Sequence, residues 1–242
     1  MTVTREEVLG ALAGVRDPEL DEPITTLGFV SDVTVKGAAS GAGSEVEITL
    51  RLPTFFCSPN FAYIMAEDAH KSLLELPAVS GASVLLENFH VGEEIESGVS
   101  SGAGFDEAFS GFSDTSGEDL DEVRDTFKRK AFIRRQEMLC RILMGEGSTP
   151  EELSCMTLGE AREVEDSEEL AVYLDRRAEL GFDTAPQAPL LLSMYGSPVP
   201  GEAVIDHLRR AKLTRVSVEG NGMFCQELLK TRYAKERSRL GA

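Results

Sequence analysis

No run in this 242-residue chain approaches the ~20 consecutive apolar residues that a membrane-spanning helix needs. Met1 to Gly10 carries two glutamates and no apolar signal-peptide core. Together these absences give the expectation of a soluble, cytoplasmic protein. Cysteine is scarce: Cys57, Cys140, Cys155 and Cys225 lie far apart with no C-x-x-C pair. That excludes a secreted disulfide framework and a self-contained zinc knuckle, and leaves free thiols as the expectation. The three histidines, His70, His90 and His207, are too dispersed for a local metal motif, so a polar surface role is expected for each. No Walker loop, G-x-S-x-G elbow or H-E-x-x-H occurs, which leaves the common nucleotide-binding and hydrolase routes without support. Positive charge is also short, with 24 basic against 42 acidic side chains and a formal net charge of -18. A nucleic-acid partner is therefore not expected, because phosphate contacts need a basic surface.

The distribution of charge suggests an organisation. Residues 1–92 hold 5 basic and 13 acidic side chains, residues 93–122 hold 0 and 10, and residues 123–242 hold 19 and 19. With 42% hydrophobic residues, the chain can form two modest domains with real cores. The expected division is an α/β domain over 1–92, an acidic Gly/Ser-rich linker over 93–117 and a helix-rich domain over 118–242.

In the first part, Thr4-Arg5-Glu6-Glu7 has the form of a capping box, and Val8, Leu9, Ala11, Leu12 and Val15 follow at helical spacing. Val33 and Val35 alternate with polar neighbours, as on a half-buried strand. After the Gly-rich piece 37–43, Val46, Ile48, Leu50 and Leu52 keep a period of two, so a β-hairpin is predicted. Ser58-Pro59 supplies an N-cap and a first helical residue for a helix whose face carries Phe61, Ile64, Met65, Ala69, Leu73 and Leu76. Val84-Leu85-Leu86 makes a further strand. The fold class read from this is α+β, with a small N-terminal α-β-β-α-β layer.

From Ser97 to Gly117, 11 of 21 residues are Gly or Ser, the composition of a flexible linker. Phe105, Phe109 and Phe112 nevertheless stand at i, i+4 and i+7, so this piece either docks on a partner's groove or folds back on its own protein. A long helix is predicted from Glu118 to about Met144, with a basic patch of Lys128, Arg129, Lys130, Arg134 and Arg135 that the acidic linker is expected to meet. A helix over 168–180 follows. Leu190-Leu191-Leu192, a helix over 202–211 and Val216-Ser217-Val218 read as a small βαβ piece before a final helix from about Met223 to Arg239.

Cys57 falls just before the cap of the second helix, where backbone amides and the positive end of the helix dipole favour an anion. A thiolate there can attack electrophiles or bind soft metal ions. The structural alternative is a small buried hydrophobe among Phe55, Phe56 and Phe61. Cys140 is expected in the core, and Cys155 and Cys225 carry no interpretable signal.

The stretch Val15-Arg16-Asp17-Pro18-Glu19-Leu20, then Leu27-Gly28-Phe29-Val30-Ser31-Asp32-Val33, a hairpin, Thr54 ahead of Cys57, and a later L-P-x-V resembles one known family. It is the SufT/PaaD-like family of metal-sulfur cluster biosynthetic proteins, which includes the eukaryotic cytosolic iron-sulfur targeting factors. The resemblance covers roughly Glu6 to Phe89. It implies that Cys57 corresponds to the family's reactive or cluster-associated cysteine, that Asp17 and Glu19 lie in its acidic loop, and that Thr54 stands where its threonine does. One departure is that family members place proline directly after the cysteine, whereas Ser58 intervenes here and shifts the thiol relative to the helix amides. Asp17 and Glu19 beside a thiolate would offer hard and soft ligands to a metal held through Cys57. The local alternative is that Asp17 caps its turn and Glu19 is solvated.

What the resemblance implies is a non-catalytic assembly or targeting factor that handles iron or an iron-sulfur cluster transiently and matures a client metalloprotein. A multicomponent oxygenase, a di-iron one included, is a narrower choice of client. Two other readings stand beside it: a thiol enzyme with Cys57 as nucleophile, and a pure interaction module or chaperone without metal transfer.

Overall fold

The structure is a computed structural model and describes residues 2–37, 43–55, 57–110, 119–165 and 167–234. Its contacts divide the chain into two units, Met1–Val123 with Gly222–Ala242, and Arg124–Asn221. The expected boundaries at 92 and 117 thus differ from the division seen, and the C-terminal segment joins the first unit.

The first unit begins with α1 (Arg5–Leu12), opened by the predicted capping box: the Thr4 hydroxyl accepts from the Glu7 amide at 3.2 Å and the Glu7 carboxylate accepts from the Thr4 amide at 2.8 Å. Strands β1 (Val30–Gly37) and β2 (Ser44–Arg51) pair antiparallel, as the hairpin reading required. Residues 38–42 of the Gly-rich connection lie outside the described residues. The alternation along β2 is real: Val46, Ile48, Leu50 and the following Leu52 are all buried. Helix α2 (Pro59–Leu74) then crosses over to β3 (Val79–Glu87), which lies parallel to β2, so the sheet order is β1-β2-β3 with the most buried strand in the centre. The α+β class and the α-β-β-α-β order hold.

The linker reading fails over its first eighteen residues. Helices α3 (Gly92–Ser101) and α4 (Phe105–Ala108) occupy it, and Ile95, Val99, Phe105 and Phe109 are buried. Phe105 meets Tyr63 of α2 edge-on at 5.4 Å and Phe109 at 4.6 Å. Here the glycine is a packing residue: a Cβ on Gly98 would stand 2.5 Å from the Ala108 Cβ and 3.2 Å from the Tyr63 ring. Composition alone cannot separate glycine used for close approach from glycine used for flexibility. The same packing explains why α2 buries Ala62, Tyr63 and Ala66 beyond its predicted stripe. Phe112 lies outside the described residues.

The second unit is helical. Helix α5 (Leu120–Gly145) enters it at Arg124, and α6 (Pro150–Cys155), α7 (Leu158–Val164) and α8 (Glu168–Glu179) follow. Helix α9 (Val204–Arg232) replaces the predicted βαβ piece and the separate last helix. Val216-Ser217-Val218 has the pattern of a strand, two β-branched residues flanking a polar one, but three residues cannot overrule a helical run on either side. The segment Leu190–Leu192 is buried yet, among the described residues, forms one isolated bridge, from Leu192 to Pro198.

Its core gathers around Phe132, Leu139, Cys140, Tyr173 and Leu190. Gln136 holds the Leu190–Leu192 segment: its amide donates to the Leu192 carbonyl at 2.9 Å and its carbonyl accepts from the Leu192 amide at 2.7 Å and from the Tyr173 hydroxyl at 3.1 Å. The basic patch of α5 is absorbed in part, with Lys128 and Lys130 left exposed. Arg134 and Arg135 are buried, Arg135 pairs with Glu169 at 3.5 Å, and Arg129 pairs with Asp125 at 2.7 Å and donates to the Met194 carbonyl at 2.8 Å.

Candidate functional site

Three elements of the first unit build the surroundings of Cys57. The strand-to-helix junction is the first. Leu52 and Pro53 are buried at the end of β2, which anchors the chain before it turns outward, while Phe55 is exposed and Cys57 half-buried. Ser58 is the N-cap of α2 and Pro59 its first residue, as predicted. Ser58 makes no side-chain cap bond. Cys57 therefore stands directly ahead of a helix start whose cap side chain does not occupy the amides. The Thr54 hydroxyl lies 3.3 Å from the Cys57 sulfur, a hydrogen bond in which either group can donate. Among the described residues that threonine, and not a histidine, is the hydrogen-bond partner of the thiol.

The acidic loop is the second element. Its neck is closed by the Ile24 amide on the Val15 carbonyl at 2.9 Å and by the Arg16–Pro23 bridge. Inside it, the Asp17 carboxylate accepts the amides of Glu19 at 2.9 Å and Leu20 at 2.8 Å, so Asp17 does hold its turn. Asp17 is 8% exposed, and burial outweighs those two bonds to push its pKa up to about 6. Arg16 reaches the Asp21 carbonyl at 2.7 Å and supports the loop from the other side. Gly28 of the L-G-x-V stretch has φ +74, the left-handed region that favours glycine.

The third element was not foreseen. The last turns of α9 pack on this loop and on the junction. A Cβ on Gly222 would touch Leu20 at 3.7 Å, Leu229 lies 3.8 Å from the Cβ position of Gly28, and Arg232 donates to the carbonyls of Leu52 at 3.0 Å and Asn88 at 2.6 Å. The Arg51 guanidinium lies 5.1 Å from the Tyr233 ring centroid. Residues 222, 225, 229 and 232 recur at helical spacing, so half-buried Cys225 shares the face that meets the α/β layer. Burial, then the charges of Asp17, Cys57 and Glu19, push the Cys225 thiol up to about 11. The acidic loop, Cys57 and Cys225 therefore share one electrostatic neighbourhood. The i, i+3, i+7, i+10 spacing was the available signal for Cys225, but nothing in it tells which surface that face covers.

The remaining candidates go elsewhere. Cys140 is buried in the second unit's core, with burial and then Glu137 pushing its thiol up to about 12, and Cys155 is exposed. His90 is the exception: exposed, it sits at the junction, with its Nδ1 2.8 Å from the Phe55 carbonyl. His207 departs from the expected surface role: its Nε2 lies 2.9 Å from the Gln136 amide, and burial, then Arg210, lowers its pKa. Among the described residues no three His, Cys, Asp or Glu side chains are arranged to hold a metal ion by themselves. Nor is any described helix long and apolar enough to cross a membrane.

No curated protein and no solved structure matches the chain. A family model described as iron-sulfur cluster assembly protein matches residues 5–85, the span from the start of α1 into β3 that contains the acidic loop, the hairpin and Cys57. Over that span the chain is similar to the iron-sulfur cluster assembly protein family.

Proposed function

We propose that this protein is an assembly or targeting factor that carries iron or an iron-sulfur cluster as cargo, through Cys57, to a client metalloprotein. The observation that supports the reading most is the family match over a segment in which a half-buried cysteine directly precedes the α2 cap. Sulfur is the ligand type iron in such clusters prefers. A site short of a full ligand set suits cargo that must leave again, because a closed four-ligand cage would retain it. Thr54 orients the thiol, and the Asp17–Glu19 loop adds negative charge that favours a cation nearby.

The thiol-enzyme reading needs a histidine base on Cys57, and the Thr54 partner of the sulfur speaks against it. A client among multicomponent oxygenases, di-iron ones included, is the narrower form of the proposal, and the second unit is the part assigned to client recognition. The test is anaerobic transfer. Wild type loaded with iron and sulfide is mixed with an apo acceptor captured from the source organism, and the acceptor's cluster absorption is followed. Transfer by wild type and none by Cys57→Ala supports the reading. Equal transfer by both proteins, or by free iron and sulfide alone, overturns it.

A further inference from the structure

The last turns of α9 bring a second sulfur to the family domain, and the domain by itself contains only one. Cys225 is flanked on its helix face by residues whose contacts are fixed. One turn before it, Gly222 lies against Leu20 of the acidic loop; one turn after it, Leu229 lies against Gly28; and Arg232 grips the Leu52 carbonyl at the root of the Cys57 junction. This bracketing puts Cys225 on the α9 face that meets the Asp17 loop and the junction. Asp17, Glu19 and Cys57 all act on it electrostatically, and all are negative when ionised. Such a neighbourhood disfavours a bare thiolate and favours a bound cation, which reverses the sign of the local field.

We infer that Cys57 and Cys225 together form a two-thiolate seat for iron, taken up as the ferrous ion or as an iron-sulfur cluster, with the Asp17–Glu19 loop supplying compensating negative charge. The inference rests on the proposed cargo role and assigns it a second ligand from outside the family domain. On binding, each thiol gives one proton to solvent as its sulfur bonds to iron, with no change of oxidation state in the protein. Uptake therefore strengthens as pH rises. Because no third described ligand joins the pair, the remaining iron positions stay open to sulfide or to the client's own ligands.

The test uses the full chain and cobalt(II), a spectroscopic stand-in whose sulfur-to-metal charge-transfer absorption scales with the number of thiolates bound. Wild type, Cys57→Ala, Cys225→Ala, Cys225→Ser and Cys155→Ala are titrated anaerobically, with circular dichroism and thermal melts confirming that each is folded. A two-sulfur seat predicts about half the wild-type absorption, and affinity weakened about tenfold or more, for each variant at 57 or 225, with Cys155→Ala like wild type. Parallel loading with ferrous ion alone and with ferrous ion plus sulfide distinguishes the two forms of cargo, and both should depend on Cys225. If Cys57→Ala loses binding while both Cys225 variants keep wild-type affinity and absorption, the two-sulfur inference is overturned and the single-cysteine reading survives. If Cys57→Ala binds like wild type, both fall.

Discussion

The Arg232 guanidinium donates to the Leu52 carbonyl at 3.0 Å across 180 positions of sequence. Its second bond, to the Asn88 carbonyl at 2.6 Å, ties the same side chain to the end of β3. One residue thus clamps the last turn of α9 to both strands that frame the Cys57 junction. Arg232→Ala should loosen that turn by about 1–3 kcal/mol, the range for hydrogen bonds to a charged group. Amide hydrogen exchange is the measure: protection should fall over residues 222–232 and stay unchanged in β2. Unaltered exchange in the helix would show that the clamp is idle.

Asp17 gives a pH-dependent prediction with a definite sign. Its folded-state pKa lies at about 6, above the ordinary 3.8, because burial disfavours the charged carboxylate. A raised carboxyl contributes stability that is fully present below about pH 3.8 and lost as the pH rises through about 6. Asp17→Asn keeps an acceptor for the amides of Glu19 and Leu20 but cannot ionise. It should therefore stabilise the protein by about 1–3 kcal/mol at pH 8 and by almost nothing at pH 4. Urea unfolding at the two pH values decides this, and an equal effect at both would rule out ionisation as its origin. The same variant should weaken metal uptake at pH 8, separating stability from function.

Gly98 tests the identity of the segment that composition marks as a linker. Gly98→Ala must place a methyl 2.5 Å from the Ala108 Cβ, a distance no packing tolerates. A loss of about 1–3 kcal/mol is expected in urea unfolding. A true linker would show no loss, so a neutral result would return residues 93–110 to that role.

In the second unit, Gln136→Leu should cost about 2–4 kcal/mol, since it strips partners from the buried Leu192 amide and carbonyl and from the Tyr173 hydroxyl. Thermal melts should register it. An unchanged midpoint would mean that the Leu190–Leu192 segment is held by its leucines alone.

The α/β layer was legible because its signals are local. Thr4 and Glu7 cap α1, Val46 to Leu52 alternate, and Ser58-Pro59 opens α2, each within a few residues. The motif residues Asp17, Gly28, Thr54 and Cys57 were legible for the same reason. Cys225 was not, because its significance depends on Gly222 reaching Leu20 and Arg232 reaching Leu52, pairings set by tertiary packing. The linker error around Gly98 has a related cause: a glycine chosen for close approach leaves the same mark in composition as one chosen for freedom. The continuity of α9 is hidden in the sequence because Val216 and Val218 favour a strand locally, a weak preference that the long helix overrides.

Iron retained per chain after anaerobic loading with ferrous ion and sulfide, followed by desalting, tests the central claim most directly. Wild type should keep labile iron that a chelator removes quickly, and Cys57→Ala should keep none above a folded control protein. Equal retention by wild type and Cys57→Ala would contradict the account.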